Sequence, residues 1–454
     1  MKFTNDLGSD NIKGLVWTLA VPSMLSQLVS VLYSIVDRMY IGNIPSNGTQ
    51  ALAGVGVCGP IVTLISSFAF LVGIGGAPLV SINLGEKNTD AAKKVIANCF
   101  VYILALAVPV TVLAYIFRRP ILLTFGATEA VYPYAETYFS LYLIGTVFAL
   151  TATGMNQFII TQGHSRSGMF SVLIGAIINI VLDPIFIFAL HMGVAGAAVA
   201  TALSQLLSAV MVCWFLARPK TEESVRLELS KLRTDWKLMR RTVHIGLPAG
   251  LQAVLYSISN MIIITAVNRF GTDTAAAWVA MGKVDAFTWL VLSAMGLAVM
   301  TFVGQNFGAN SMQRVRESIR DCMIMTSGFA VLISLLFVTL GKYLLVIFTT
   351  DQNVIALAMR IIYYIMPWYL LYVPVEVYSG SLRGIGDTLV PFIITAVGIC
   401  IARVVWIFTI VPLHNDISTV AVAYPITWGL TSLAYMIYFR YVKKHKIGKI
   451  EQAA

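Results

Sequence analysis

Twelve long blocks of apolar residues constrain this 454-residue chain more than any other feature of its sequence. A helix needs about 20 mainly apolar residues to cross the hydrocarbon layer of a membrane, and each block is long enough. Strands of a membrane β-barrel alternate apolar and polar residues, whereas these blocks are continuous, so the pattern predicts helices. The predicted spans are residues 15–41, 51–80, 95–117, 134–159, 168–190, 194–217, 242–268, 275–304, 321–349, 357–382, 389–412 and 417–439.

The composition excludes several other classes of protein. Charged residues make up only 11% of the chain, too few to cover a water-exposed surface, which carries roughly 25%. The net charge of +10 does not indicate nucleic-acid binding, because the basic residues lie between apolar blocks and not in a folded basic domain. The five Cys and five His residues form no Cys-x-x-Cys or His-x-x-x-His motif, so we predict no zinc site, disulfide framework or other cofactor.

The distribution of basic residues predicts the orientation of the chain. With twelve spans, both termini lie on one side of the membrane. The connections on that side hold 23 of the 31 Lys and Arg residues. Another 5 lie in the opposite connections or near the span ends on the opposite side, and Arg38, Lys283 and Arg403 are counted as within spans. By the positive-inside rule, both termini and the linker 218–241 are cytoplasmic. The first block is longer than the apolar part of a signal peptide, so we interpret it as a spanning helix.

The two halves of the chain resemble each other. Leu19-Ala20-Val21-Pro22 matches Ile245-Gly246-Leu247-Pro248 at an offset of 226 residues, and later matches such as Gly163 with Gly386 have an offset of 223. We therefore predict an all-α integral membrane protein with two pseudo-symmetric bundles of six helices, residues 1–217 and 242–454. An even number of helices per repeat makes the repeats parallel. Asp235–Arg241, at the end of the linker, has the pattern of a short interfacial amphipathic helix.

Apart from Glu136 and Asp321 in the first turn of a span, four acidic residues lie within the predicted spans, where a charge costs roughly 2.5–3.5 kcal/mol on insertion scales. They are Asp37, Asp183, Asp285 and Glu376. Asn179 lies one helical turn before Asp183 and shares its face. Thr201 of the next span lies at the same depth as Asp183, and Asp37 is somewhat nearer the outer surface. We expect Asp37, Asn179, Asp183 and Thr201 to converge on one outward-facing pocket.

The oxygen atoms of these four side chains suit a small cation. Carboxyl groups held away from water can bind and release a proton, and carboxylate, amide and hydroxyl oxygens also suit Na⁺. The sequence does not choose between H⁺ and Na⁺, and it leaves open that the acids are structural and satisfied by polar neighbours. Pro184 interrupts the backbone hydrogen bonds next to Asp183 and frees a carbonyl group.

In the second half, the acids allow two interpretations each. Asp285 either contacts a substrate or is neutralised by Arg403, because charges within a membrane tend to pair. Glu376 lies near Tyr372 in an aromatic stretch that suits an organic cation, through charge and cation–π attraction. The same aromatic residues could instead form a belt at the membrane interface.

Several motifs together resemble the multidrug and toxic compound extrusion (MATE) family over essentially the whole chain, and its DinF-type bacterial branch most. They are Pro22, Asp37-Arg38-Met39-Tyr40-Ile41-Gly42, Asn83-Leu84-Gly85, Asn179-Ile180-Val181-Leu182-Asp183-Pro184, Gly304-Gln305-Asn306-Phe307-Gly308 and Leu382-Arg383-Gly384-Ile385-Gly386-Asp387. The resemblance implies export of organic, often cationic, compounds in exchange for H⁺ or Na⁺. It also implies a multi-pass protein of the bacterial inner membrane that acts as a monomer, in contact with lipid and not with nucleic acid.

The resemblance also assigns roles to individual residues. The family's ion site maps onto Asp37, Asn179, Asp183 and Thr201, and Pro22 matches the proline at which the first helix bends. The resemblance also assigns an asparagine of the fourth helix, here Asn156, to the ion site, and a tyrosine of that helix, here Tyr138, to substrate binding. There are departures: Ile160 stands where an arginine often follows that asparagine. The seventh block has no acid, so the resemblance does not support an ion site in the second half.

Three other functions compete with an ion-coupled exporter. A flippase for lipid-linked saccharides resembles the same superfamily, but its anionic substrate would need a basic cavity, and acids outnumber bases in these spans. A channel would show equivalent filter groups in both halves, yet the offsets place Ile263 and Trp406 opposite Asp37 and Asp183. A membrane hydrolase would need a nucleophile–base pair or metal ligands, and the sequence offers neither.

Overall fold

The computed structural model describes residues 11–45, 47–218, 225–228 and 235–447 of the chain. Within these ranges the regular secondary structure is helical, with no strand. Helix is the expected form because a segment in lipid must pair its own backbone N–H and C=O groups. The predicted all-α fold is confirmed.

Twelve of the described helices are long and apolar enough to cross a membrane, as the sequence predicts. Their polar ends extend past several of the apolar blocks, since backbone hydrogen bonding continues outside the hydrocarbon layer. The spanning helices are α1 (Ile12–Gly42), α2 (Gly48–Gly85), α3 (Thr89–Ile116), α4 (Tyr132–Thr161), α5 (Ser165–Ala189), α6 (Val194–Ala217), α7 (Trp236–Asn268), α8 (Thr272–Gly308), α9 (Met312–Leu345), α10 (Gln352–Leu371), α11 (Leu389–Thr409) and α12 (Ile417–His445). A further helix, Val373–Gly384, follows α10 directly.

The first compact unit contains Val21–Gly250 and is built around α4. This helix packs mainly against α2 and α6. Its glycines allow the close approach: Gly154 lies against Gly73 of α2, and Gly145 lies against Ala202 of α6. Small residues are favoured at such contacts because they let two backbones come together inside a membrane.

The second compact unit contains the chain from Leu251 onward, together with α1 as far as Ala20. Here α8 packs mainly against the helix Val373–Gly384 and against α9. A Cβ atom on Gly380 would lie 2.6 Å from the carbonyl oxygen of Gly296, so glycine again sets the distance between two helices. The residues around this contact are buried, which places the core of the unit at the crossing of these helices.

Two helices contribute to both units, and each changes unit beside a proline. Helix α1 changes at Val21, one residue before Pro22, and α7 changes at Leu251, three residues after Pro248. Proline lacks the N–H that an unbroken helix needs and weakens the helix locally. The chain therefore divides inside two helices, and not within the linker 218–241 that the sequence suggested.

The part of α7 before Pro248 packs tightly on α2 within the first unit. A Cβ atom on Gly246 would overlap the carbonyl oxygen of Leu71, and one on Gly75 would overlap the carbonyl oxygen of Thr242. The backbones of the two helices are therefore in direct contact, which only glycine permits. In the second unit, Trp17 of α1 meets Phe329 of α9 edge-on, with ring centroids 5.3 Å apart.

The short amphipathic helix predicted at Asp235–Arg241 is not a separate element. Its residues from Trp236 onward form the first turns of α7, and the Asp235 side chain accepts a hydrogen bond from Lys237 N at 2.9 Å. The helix continues because no residue after Trp236 interrupts it before the apolar block begins. Elsewhere in the linker, Leu227 N donates to Leu216 O at 2.8 Å, whereas residues 219–224 and 229–234 lie outside the described ranges.

Asp416 precedes α12 and stabilises its N-terminal end. Its carboxylate accepts a hydrogen bond from Ser418 N at 2.9 Å and lies 2.7 Å from Arg360 Nη2. The backbone hydrogen bond from Ser418 is the main cause that lowers the pKa of Asp416 below its ordinary value of 3.8. A carboxyl group whose pKa is lowered by folding stabilises the folded state above its unfolded pKa. That contribution is lost as the pH falls through the folded pKa.

We predict that Asp416→Ala lowers the free energy of unfolding by roughly 1 kcal/mol at pH 7, the usual cost of losing an N-cap side chain. The difference from the wild type should shrink below about pH 4, where the carboxylate becomes protonated. Thermal unfolding of the detergent-solubilised protein at several pH values measures both effects. Asp416→Asn is the matched control because asparagine also caps helices well. Equal stability of wild type and Asp416→Ala at pH 7 would show that the cap contributes nothing.

Candidate functional site

The structure brings two acidic side chains of the first unit into direct contact. Asp37 lies on α1 and Asp183 on α5, and their carboxyl groups are within hydrogen-bonding reach of each other. Both are buried, Asp183 completely. Burying two like charges side by side is costly unless a cation or a proton joins them. A proton or a small cation between the two carboxyl groups would remove this cost.

Asn179 and Thr201 complete this site. Asn179 Nδ2 donates to Asp183 Oδ1 at 3.2 Å and to Thr201 Oγ1 of α6 at 3.5 Å. Apart from the contact between the two carboxyl groups, Asp37 Oδ1, Asp183 Oδ2 and Asn179 Oδ1 have no hydrogen-bond partner among the described residues. Three buried oxygen atoms without a donor leave room in the hydrogen-bonding pattern for a proton, a water molecule or a small cation.

The backbone changes form immediately after this site. Helix α5 is α-helical as far as Pro184 and continues as a π-helical turn at Ile185–Ala189. Such turns are often found at functional sites, because the wider turn redirects the neighbouring side chains. The predicted interruption at Pro184 thus takes the form of a π-helical turn, and α5 does not end there.

Two tyrosines lie beside the carboxyl pair. The hydroxyl group of Tyr138, buried on α4, is within hydrogen-bonding reach of Thr201, and the ring lies close enough to Asp37 to feel its charge. Tyr33 lies near both Asp37 and Asp183. Tyr33 is not among the residues predicted from the sequence, although its position one helical turn before Asp37 places both on the same face of α1.

The structure places Asn156 elsewhere in the first unit. Its Oδ1 atom would lie 2.7 Å from a Cβ atom on Gly168, near the start of α5. Gly168 precedes Asn179 by 11 residues, which corresponds to roughly 16 Å along the helix. Asn156 therefore does not join Asp37, Asn179, Asp183 and Thr201, and its assignment to an ion site rests on the resemblance alone.

In the second unit, Asp285 is not neutralised by direct pairing with Arg403. Its carboxylate accepts hydrogen bonds from Trp289 Nε1 at 2.9 Å and from the hydroxyl group of Tyr369. Arg403 forms no salt bridge within 4.0 Å in the described part of the chain. The expected ion pair is replaced by aromatic donors, because Tyr and Trp can satisfy a buried carboxylate without a second charge.

Glu376 is partly neutralised within its own helix. Its carboxylate lies 3.8 Å from Arg383 Nη2 and 3.4 Å from the hydroxyl group of Tyr372. Tyr369 and Tyr372 are buried inside the unit, which does not fit a belt at the membrane interface, whereas Trp368 is half exposed and does. The structure therefore places Glu376, Tyr372 and Asp285 close to one aromatic cluster of the second unit.

Twelve spanning helices in two compact units, with a buried acidic site in the first, define a membrane transport protein. The model of the MatE family matches residues 22–185 and 248–409, more than half of the chain. The chain therefore belongs to the MatE family, whose members are transporters and not enzymes.

Several known proteins are similar to this chain. The chain is 25% identical to "Probable multidrug resistance protein YoeA" of Bacillus subtilis over 435 residues, which cover 94% of this chain and 93% of the relative. It is 25% identical to the FAD transporter of Shewanella oneidensis over 360 residues, 78% of each protein. A solved MOP superfamily transporter from Pyrococcus furiosus superimposes with a TM-score of 0.89 at 19% identity, over 99% of both chains, and so shares the fold.

Proposed function

We propose that this protein is a secondary active antiporter that exports organic, mainly cationic, compounds in exchange for H⁺ or Na⁺. The observation that carries the proposal is the direct contact between the buried carboxyl groups of Asp37 and Asp183. Family membership and the multidrug resistance protein among its relatives support the export of drugs or toxic compounds. The protein would act as a monomer in the bacterial inner membrane, with both termini in the cytoplasm.

The carboxyl pair can couple the binding of an ion to the release of a substrate, because two buried negative charges in contact are unfavourable. When both groups are ionised, their repulsion and their burial destabilise the closed site. Binding of a proton or Na⁺ removes that cost and allows the site to be shielded from water. Release of the cation restores the negative charge, which attracts a cationic substrate. The ion and the substrate would thus occupy the site alternately, as alternating access requires.

The residues around the pair fit both candidate ions. A proton needs only the two carboxyl oxygens that already face each other. For Na⁺, oxygens from Asp37, Asn179, Asp183 and Thr201 are available, and three of them lack a hydrogen-bond donor among the described residues. Oxygen ligands of this kind are those that hard cations prefer. The two ions must therefore be distinguished by experiment.

Purified protein in liposomes provides the test. Vesicles with an acidic lumen should accumulate ethidium if H⁺ is the coupling ion, and vesicles loaded with Na⁺ should do so if Na⁺ is. Nigericin should abolish the first response and monensin the second, because they dissipate the respective gradients. Ethidium movement that does not depend on the H⁺ gradient or on the Na⁺ gradient would refute antiport and would favour a channel.

The lipid-linked saccharide flippase is the second candidate. Its anionic substrate is poorly matched to a site built from Asp37 and Asp183, since both repel a phosphate group. A fluorescent lipid-linked pyrophosphate in the same vesicles would test it directly. Translocation of that lipid, without ion-driven ethidium uptake, would favour the flippase.

A further inference from the structure

The fifth and sixth helices of the second half carry a buried polar pair that matches the pair in the first half but differs in charge. In the first unit, Asn179 of α5 donates to Thr201 of α6. In the second, Arg403 Nε of α11 donates to Thr427 Oγ1 of α12 at 3.2 Å. Thr427 follows Thr201 by 226 residues and Arg403 follows Asn179 by 224, close to the offset of 223 that relates these parts of the two halves. A guanidinium group thus donates to a threonine of the sixth helix in the second unit, whereas a neutral amide does so in the first.

Arg403 is deeply buried and incompletely paired. Its side chain is 3% exposed, and its Nη2 atom has no hydrogen-bond partner in the parts of the chain that the structure describes. The guanidinium lies over the ring of Tyr424, with Cζ 3.9 Å from the ring centroid. A cation–π contact offsets only part of the cost of burying a charge. The remaining donor is therefore available to an acceptor from outside the protein.

The aromatic residues next to Arg403 form a closely packed cluster. The rings of Tyr369, Tyr372 and Tyr424 surround Trp428, with centroids 4.8, 5.6 and 5.7 Å from it. Trp428 Nε1 also lacks a hydrogen-bond partner among the described residues. The cluster thus offers two buried donors, Arg403 Nη2 and Trp428 Nε1, between aromatic faces.

The acids of the second unit leave these donors unused. Asp285 takes its hydrogen bonds from Trp289 and Tyr369, and Glu376 lies beside Arg383 and Tyr372. Asp285, Trp289 and Tyr424 are only partly buried, so the cluster is not fully enclosed on this side. A π-helical turn at Ala396–Ile401 immediately precedes the segment with Arg403, as a π-helical turn adjoins Asp183 in the first unit.

We propose that this cluster is a second ligand site, in which Arg403 and Trp428 bind the carboxylate of an aromatic compound whose ring packs against the tyrosines. Carboxylates form strong charge-assisted hydrogen bonds with guanidinium groups, and aromatic rings stack favourably in such surroundings. This inference rests on the proposed transport function, because it extends the substrates of the antiporter from cations to acidic or zwitterionic aromatic compounds. Its ligand binding can be measured without transport.

Equilibrium dialysis of the full-length protein in detergent tests the proposal with three matched probes. They are 4-nitrobenzoate, 4-nitrobenzamide and 4-nitrobenzylammonium. The benzoate should bind more tightly than the neutral amide. Arg403→Gln should weaken benzoate binding by roughly 10- to 100-fold, the effect of losing a hydrogen bond to a charged group. It should not weaken benzylammonium binding, because removing the guanidinium group removes a like charge. Equal affinities of the wild type for benzoate and amide, or an unaltered benzoate affinity in Arg403→Gln, would overturn the proposal.

Further variants separate a specific effect from a loss of folding. Arg360→Gln removes a half-exposed arginine that pairs with Asp416, and it should bind the benzoate as the wild type does. If Arg403→Gln fails to fold, Trp428→Phe removes only the indole N–H, and an unchanged benzoate affinity in that variant would contradict the proposal. Benzoate binding without any ion-driven ethidium uptake would refute the antiporter and leave this site standing. Ion-driven ethidium uptake without benzoate binding would refute the proposed second ligand site and leave the antiporter standing.

Discussion

Asp183→Asn is expected to abolish ion-driven export and to leave the protein folded. Asparagine has nearly the same shape as aspartate and can still accept the hydrogen bond from Asn179 Nδ2. It cannot take up or release a proton, and it supplies no charge for Na⁺. Ethidium uptake by liposomes that contain this variant should fall to that of protein-free vesicles. Asp37→Asn should have the same effect, because both carboxyl groups are needed to form the pair.

The stability of Asp183→Asn distinguishes a functional loss from a structural one. Removing one charge from two buried carboxylates in contact relieves their repulsion, so the unfolding temperature should be unchanged or higher than that of the wild type. Asp273→Asn is the matched control, since this acid lies exposed at the start of α8 and should transport normally. Full coupled uptake in both Asp183→Asn and Asp37→Asn would remove the proposed site.

Gly246→Ala is expected to cause the largest loss of stability of any single methyl group added to the first unit. The new Cβ atom would overlap the carbonyl oxygen of Leu71, and neither backbone can move without separating α7 from α2. Overpacking of this kind costs about 3 kcal/mol or more where the backbone itself is in the way. Thermal unfolding and the yield of monodisperse protein measure the effect.

Gly250→Ala provides a control on the same helix, one turn later. Its Cβ atom would come only within 3.9 Å of the Leu71 side chain, an ordinary contact. Replacing a glycine inside a helix by alanine stabilises it by up to about 1 kcal/mol, so this variant should be neutral or more stable. If both variants unfold at the same temperature, the close contact of α7 with α2 is not what holds these helices together.

The number of spanning helices and the meeting of Asp37 with Asp183 could both be predicted from the sequence. Every spanning helix must cross the same thickness of membrane, so each one requires an apolar block of similar minimum length, and the blocks can be counted. The two acids could be placed together because the helical rise converts a count of residues into a depth, and the four-residue spacing from Asn179 to Asp183 defines a face. The role of these residues stays a prediction until transport is measured.

Other features of the two polar sites depend on how the helices are rotated, which residue spacing does not reveal. Pairing of Asp285 with Arg403 was a reasonable expectation from their charges. In the structure the hydroxyl group of Tyr369 donates to Asp285, and Arg403 lies over the ring of Tyr424, so no direct pair forms. The π-helical turns at Ile185–Ala189 and Ala396–Ile401 also carry no clear sequence signal, apart from Pro184 before the first of them.

The exchange of half a helix between the two units bears on how such a protein can arise by gene duplication. A polypeptide that ended at the linker would lack the segment of α7 that packs on Gly75, and this surface of α2 would lose its partner. Two copies of a half-length ancestor could supply this segment to each other, as in domain-swapped dimers. Fusion of the two genes would then have joined the two copies, with their exchanged segments, in one polypeptide chain.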